Sequence, residues 1–65
     1  MDRIGQLWGY PGVLWFIISS QKMSDALWVY HIMKFKDGEM PYRDRIQESL
    51  YGGILENWGY VKRIA

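Results

Sequence analysis

Arg43, Arg45 and Gln47 stand two residues apart, and Lys62 and Arg63 form a basic pair near the end of the chain. Guanidinium, amide and ammonium groups donate hydrogen bonds to phosphate oxygens and base edges, so these residues are candidates for holding an anion. Glu39, Asp44, Glu48 and Glu56 are interleaved with them. Carboxylates mixed with Arg and Gln usually form a solvated face rather than an acid–base site. The single histidine, His31, lies among apolar residues with no carboxylate at a partner spacing and reads as a hydrogen-bonded structural residue. No nucleophile–base pair, glycine-rich phosphate loop, zinc spacing or metalloprotease motif is present. The residues therefore predict no enzyme, no metal and no cofactor.

The elements that must position these side chains have little chain to draw on. The 65 residues allow one domain, 1–65. A chain of this size buries only about 60% of its unfolded surface. Without cysteine, neither disulfides nor a thiolate metal site adds stability, and the composition fits a reducing cytoplasm. Aromatic residues compensate: they make up 17% of the chain, with four Trp and five Tyr. That exceeds what one small core readily hides, and interfaces favour the same rings, so a homodimer is expected. The methionines Met23, Met33 and Met40 are spread widely enough to read as core filling. Net charge is only +1, so any nucleic-acid contact requires the cations to be gathered on one face.

Residues 1–12 hold three Gly and a Pro, which argues against a long regular element. Ile4, Leu7 and Trp8 have the spacing of one helical turn, and Tyr10-Pro11-Gly12 reads as a turn. Val13–Ile18 is a continuous apolar run, helix or strand, since periodicity cannot separate the two. Gly5, Gly9, Pro11 and Gly12 interrupt the uncharged stretch around it, and a membrane-spanning helix needs about 20 mainly apolar residues. Asp2 does not suit a basic leader. No membrane segment is expected.

Ser24 is placed as an N-cap with Asp25 in the first turn, which predicts a helix over 26–36, apolar nearly all round. A strand competes there, because Trp28-Val29-Tyr30 has high β propensity and Asp37-Gly38 signals a hairpin. Pro41 suits a first helical position, and Tyr42, Ile46 and Leu50 repeat every four residues, so an amphipathic helix is predicted over 41–51. Tyr51, Ile54, Leu55 and Trp58 point about a third of a turn away on the same wheel, which implies a break at Gly52-Gly53 and a shorter helix at 53–58. Gly59 suits a helix end, and Tyr60–Ile64 alternates like a short strand. That strand can pair with residues 1–8, with the Trp28 segment or with its twin in a dimer.

The run Ile54-Leu55-Glu56-Asn57-Trp58-Gly59-Tyr60-Val61-Lys62-Arg63 resembles the passage from recognition helix to wing in MarR- and PadR-type winged-helix regulators. Ser49-Leu50-Tyr51-Gly52 is similar to the PadR-type recognition-helix stretch. The resemblance covers residues 41–64. It implies a mainly α, winged-helix-like domain with a short terminal strand and a truncated wing, acting as a dimeric transcriptional regulator on double-stranded DNA. Arg43, Arg45, Gln47, Lys62 and Arg63 would then be the DNA contacts. The alternative is a small protein-binding module or inhibitor that docks through an aromatic-rich surface, as the nine Trp and Tyr residues suggest.

Overall fold

Alternation, not a helical period, governs the central stretch. Trp28, Tyr30 and Ile32 are buried while His31 between them is exposed, the two-residue repeat of a strand. The computed structural model describes residues 2–65, and among them five strands form one antiparallel sheet. They are β1 (Leu7–Tyr10), β2 (Val13–Ser24), β3 (Leu27–Lys36), β4 (Tyr42–Ser49) and β5 (Lys62–Arg63), in the order β4-β3-β2-β1-β5. The first four make a meander of hairpins, and β5 returns to pair with β1 through Trp8↔Arg63 and Gly9↔Lys62.

This overturns the mainly α, winged-helix expectation. Among the described residues there is no α-helix, only a 3-10 turn at Leu55–Asn57. The apolar run at 13–18 is strand, and so is the predicted helix at 26–36. Ser24 does use its hydroxyl as a backbone cap, but inside a hairpin turn, where it accepts the Ala26 N–H at 3.3 Å. Ser and Asp favour helix starts and turns for the same local hydrogen bond, so that signal could not choose between them. Leu7 and Trp8 likewise belong to a strand rather than a helical turn.

The predicted helix at 41–51 is β4. A four-residue repeat is also two strand repeats, so Tyr42 and Ile46 share a face under either reading. The row also contains Glu48, which is buried, and a carboxylate at a core position hid the alternation. A reversal does fall at Gly52-Gly53. The Gly53 N–H donates to the Ser49 carbonyl at 2.8 Å, and Gly53 holds a φ of +125° that favours glycine. Gly59, expected to close a helix in the left-handed region, has no positive φ. Of the three pairings open to the terminal strand, it takes the one with residues 1–8. The ladder extends past β5, since the Ile64 N–H donates to the Leu7 carbonyl at 2.7 Å and the Leu7 N–H to the Ala65 carbonyl at 2.9 Å.

One face of this sheet is covered. Trp8, Trp15, Ile17, Trp28, Tyr30 and Ile32 project from it, and the returning chain lays Leu55 and Val61 over them, with Trp58 packed alongside. Ring edges lock the lid in place: Trp15 meets both Tyr10 and Trp58 edge-on at 5.9 Å. No helix of the described residues is long and apolar enough to cross a membrane.

Candidate functional site

The two sides of the sheet hold different chemistry. On the covered side, Glu48 lies at the end of β4 with 1% exposure, and every partner it has comes from a different element. Arg3 binds it in a bidentate fork, Nε at 2.8 Å and Nη2 at 2.7 Å. The Tyr30 hydroxyl of β3 donates at 2.6 Å, and the Leu55 N–H of the lid donates at 2.7 Å. Arg3 also reaches Glu56 at 2.6 Å and lies over the Trp8 ring, 5.1 Å from its centroid.

Burial pushes the Glu48 carboxyl up, but hydrogen bonds from Arg3, Tyr30 and Leu55 with the Arg3 charge outweigh it and hold the group below the usual carboxylate range. The Tyr30 hydroxyl is raised above its ordinary value by burial and by its bond to Glu48. The Arg3 hydrogen bond likewise lowers Glu56. Such a network is satisfied, and therefore structural: it ties the N-terminal segment, two strands and the lid together, and each donor is already engaged. Sequence reasoning placed Glu48 on a solvated helix face and gave Arg3 no role. No local pattern joins residues 45 positions apart, so only the fold brings this pair together.

The other side of the sheet has no such lid among the described residues. By register, Leu7 of β1, Leu14 and Phe16 of β2, and Met33 and Phe35 of β3 share it, with Phe16 opposite Met33 and Leu14 opposite Phe35. Ile18 is exposed beside them at the bulge that separates Ile17 from Ser19. Ile64 joins from the terminal strand. A Cβ built on Gly9 would lie 3.1 Å from Leu14 Cδ2 and 3.2 Å from Ile64 Cδ1, so these two side chains meet above that glycine. Leu14, Phe16, Ile18 and Phe35 are each about 40% exposed, and Ile64 more than half. The result is one continuous apolar surface four strands wide.

The candidate residues divide between the two sides. Arg43, Arg45 and Gln47 stand in one row on β4, opposite Met33, His31 and Val29, and so flank the apolar surface. Lys62, opposite Gly9, flanks it at the far margin. Arg63 is opposite Trp8 and belongs to the covered side. His31 is exposed in the Arg45 row rather than buried as a structural histidine. Asp44 points to the covered side, where its carboxylate accepts the Arg45 N–H at 2.8 Å and stands 3.9 Å from Lys34. No group of three or more His, Cys, Asp or Glu among the described residues is placed to hold a metal ion.

The architecture is that of a small all-β domain, a single sheet with one covered and one open face. No protein-family model, no curated protein and no solved structure matches the chain.

Proposed function

We propose that this protein is a binding module that docks another protein on the open face of its sheet. One observation carries the reading: Phe16 stands exposed at the middle of a continuous apolar surface and Phe35 at its β3 edge, while the lid residues pack on the opposite side. Exposed contiguous apolar patches often mark interaction sites, and the largest on a typical monomer measures about 300–600 Å². At ~25 cal/mol per Å², covering such a patch contributes roughly 8–15 kcal/mol before association costs. Those costs are about 4–15 kcal/mol, so the apolar centre supports binding but leaves affinity to the flanking groups. An apolar centre with Met and aromatic residues and an arginine margin is also the usual anatomy of a protein interface. The cysteine-free sequence fits action in a reducing compartment such as the cytoplasm.

The test is a quantitative pull-down from host lysate with the protein, with Phe16→Gln/Phe35→Gln, and with Tyr51→Ala as a control away from this face. The expected result is a stoichiometric partner retained by the control and lost by the double variant. A partner lost equally from both, or none at all, contradicts the reading.

Contact with double-stranded DNA is a second reading, favoured by the shared row of Arg43, Arg45 and Gln47. Those residue types suit phosphates and base edges. Here a sheet, not a recognition helix, would present them. Fluorescence anisotropy with duplex DNA at low salt tests it: the reading requires binding that weakens steeply with salt, and flat titrations rule it out.

A further inference from the structure

We propose that the partner on the open face is an acidic protein segment, apolar along its middle and flanked by carboxylates that pair with Arg43 and Arg45. This rests on the docking reading above and names the chemistry of the partner. Register sorts the charged residues of the strands between the two sides. Arg43, Arg45 and Lys62 go to the open face, while both strand carboxylates, Asp44 and Glu48, go to the covered one together with Lys22, Lys34, Lys36 and Arg63. A chain with a net charge of only +1 thus presents three cations and no strand carboxylate on its open face. His31, Arg43 and Arg45, with Asp44 beside them, line a shallow concavity at the β4 margin. Two guanidinium forks in one row match carboxylates borne by every second residue of an extended segment, because side chains on one face of a strand repeat every two residues.

The same sorting argues against the other occupants. A second copy would bring three more cations and no strand carboxylate against this face, and like charges across an interface disfavour it. Single-stranded nucleic acid needs a basic track beside stacking rings. Here the cations lie at opposite margins, four strand spacings or ~19 Å apart, with aliphatic side chains and only two Phe rings between them. Trp8, Trp15 and Trp28 are spent in the core, and Trp58 packs against Trp15.

The experiment uses synthetic peptides with a central Leu and Phe segment and flanks that carry Glu at every second residue, the same peptides with Gln or Lys in place of Glu, and a single-stranded oligothymidylate. Each is titrated into isotope-labelled protein and followed by amide chemical shifts, with sedimentation of the protein alone. The Glu peptide is expected to shift Phe16, Met33, Phe35, Arg43 and Arg45, and to bind at least about tenfold more tightly than the Gln peptide. Arg43→Glu/Arg45→Glu is expected to remove that advantage, and Arg43→Lys/Arg45→Lys, which keeps the charge and loses the fork, to keep only part of it. Gln and Lys peptides that bind this face as well as the Glu peptide overturn the acidic partner while leaving the docking reading intact. Peptides that fail to bind at all overturn both. Tighter binding of the oligothymidylate, or a dimer that dissociates on Phe16→Gln, also overturns the proposal.

Discussion

The covered and open faces of this sheet use arginine in opposite ways. Arg3 is 4% exposed and has Glu48, Glu56 and the Trp8 ring around it, so its charge is matched inside the fold. Arg43 and Arg45 are exposed in one row beside an apolar surface, and the strand carboxylates that alternate with them point to the other side. A buried, paired charge holds elements together, because removing either partner strands the other away from water. An exposed charge beside an apolar surface contributes little to folding and much to the choice of partner. On the proposed reading, the two faces separate stability from recognition within five strands.

Substitutions should expose that division, and the largest effect is expected at the network. Glu48→Ala leaves Arg3 buried without its fork and Tyr30 and the Leu55 N–H without an acceptor. A loss of about 3–5 kcal/mol in urea denaturation is expected, enough to unfold much of a small domain. A loss under about 1 kcal/mol would mean that water or Glu56 replaces Glu48 and that the network is not what ties the lid down.

Gly9→Ala comes next. Its Cβ would approach the Val13 carbonyl oxygen to 2.4 Å, a backbone atom in the adjacent strand that has no room to move. Destabilisation of about 1–3 kcal/mol, read as a lowered melting temperature, is the expected cost of that overpacking.

The pH dependence is smaller and has a definite sign. Glu48 is held below its ordinary value of 4.5, so its contribution is complete above that pH and disappears as pH falls through its folded value. Tyr30 is raised above its ordinary value of 10.0, so its contribution is complete below that pH and is lost as pH climbs through its folded value. Urea midpoints should therefore form a plateau between about pH 5 and pH 10 and fall on both sides. Glu48→Gln should flatten the acid limb. An acid limb unchanged in that variant would assign it to other carboxylates. The smallest effect on folding is expected from Arg43→Ala/Arg45→Ala, within about 0.5 kcal/mol of the parent in the same assay.

How far the sequence reveals this fold depends on the element. The turns at Pro11-Gly12 and Asp37-Gly38, the reversal at Gly52-Gly53 and the short C-terminal strand can all be read locally, because Gly, Pro and alternation act over a few residues. The strands β3 and β4 cannot. Strand β3 carries apolar side chains on both faces, Trp28, Tyr30 and Ile32 on one and Val29, Met33 and Phe35 on the other, and a two-faced apolar strand has the pattern of a buried helix. Strand β4 carries Glu48 in a core row, which Arg3, Tyr30 and the Leu55 N–H, none of them near it in sequence, together make tolerable. Arg43, Arg45 and Gln47 are legible as exposed hydrogen-bond donors. The apolar surface they flank is not, because it assembles from β1, β2, β3 and the terminal strand through pairings that no single stretch encodes.

The claim that the open face serves recognition and not folding is tested most directly by urea denaturation of Phe16→Gln/Phe35→Gln. The account gives a loss of no more than about 2 kcal/mol, since both rings are already about 40% exposed and nothing among the described residues packs over them. A loss of about 3 kcal/mol or more, the cost of truncating a core aromatic, would show that this surface is part of the folding core and would contradict it.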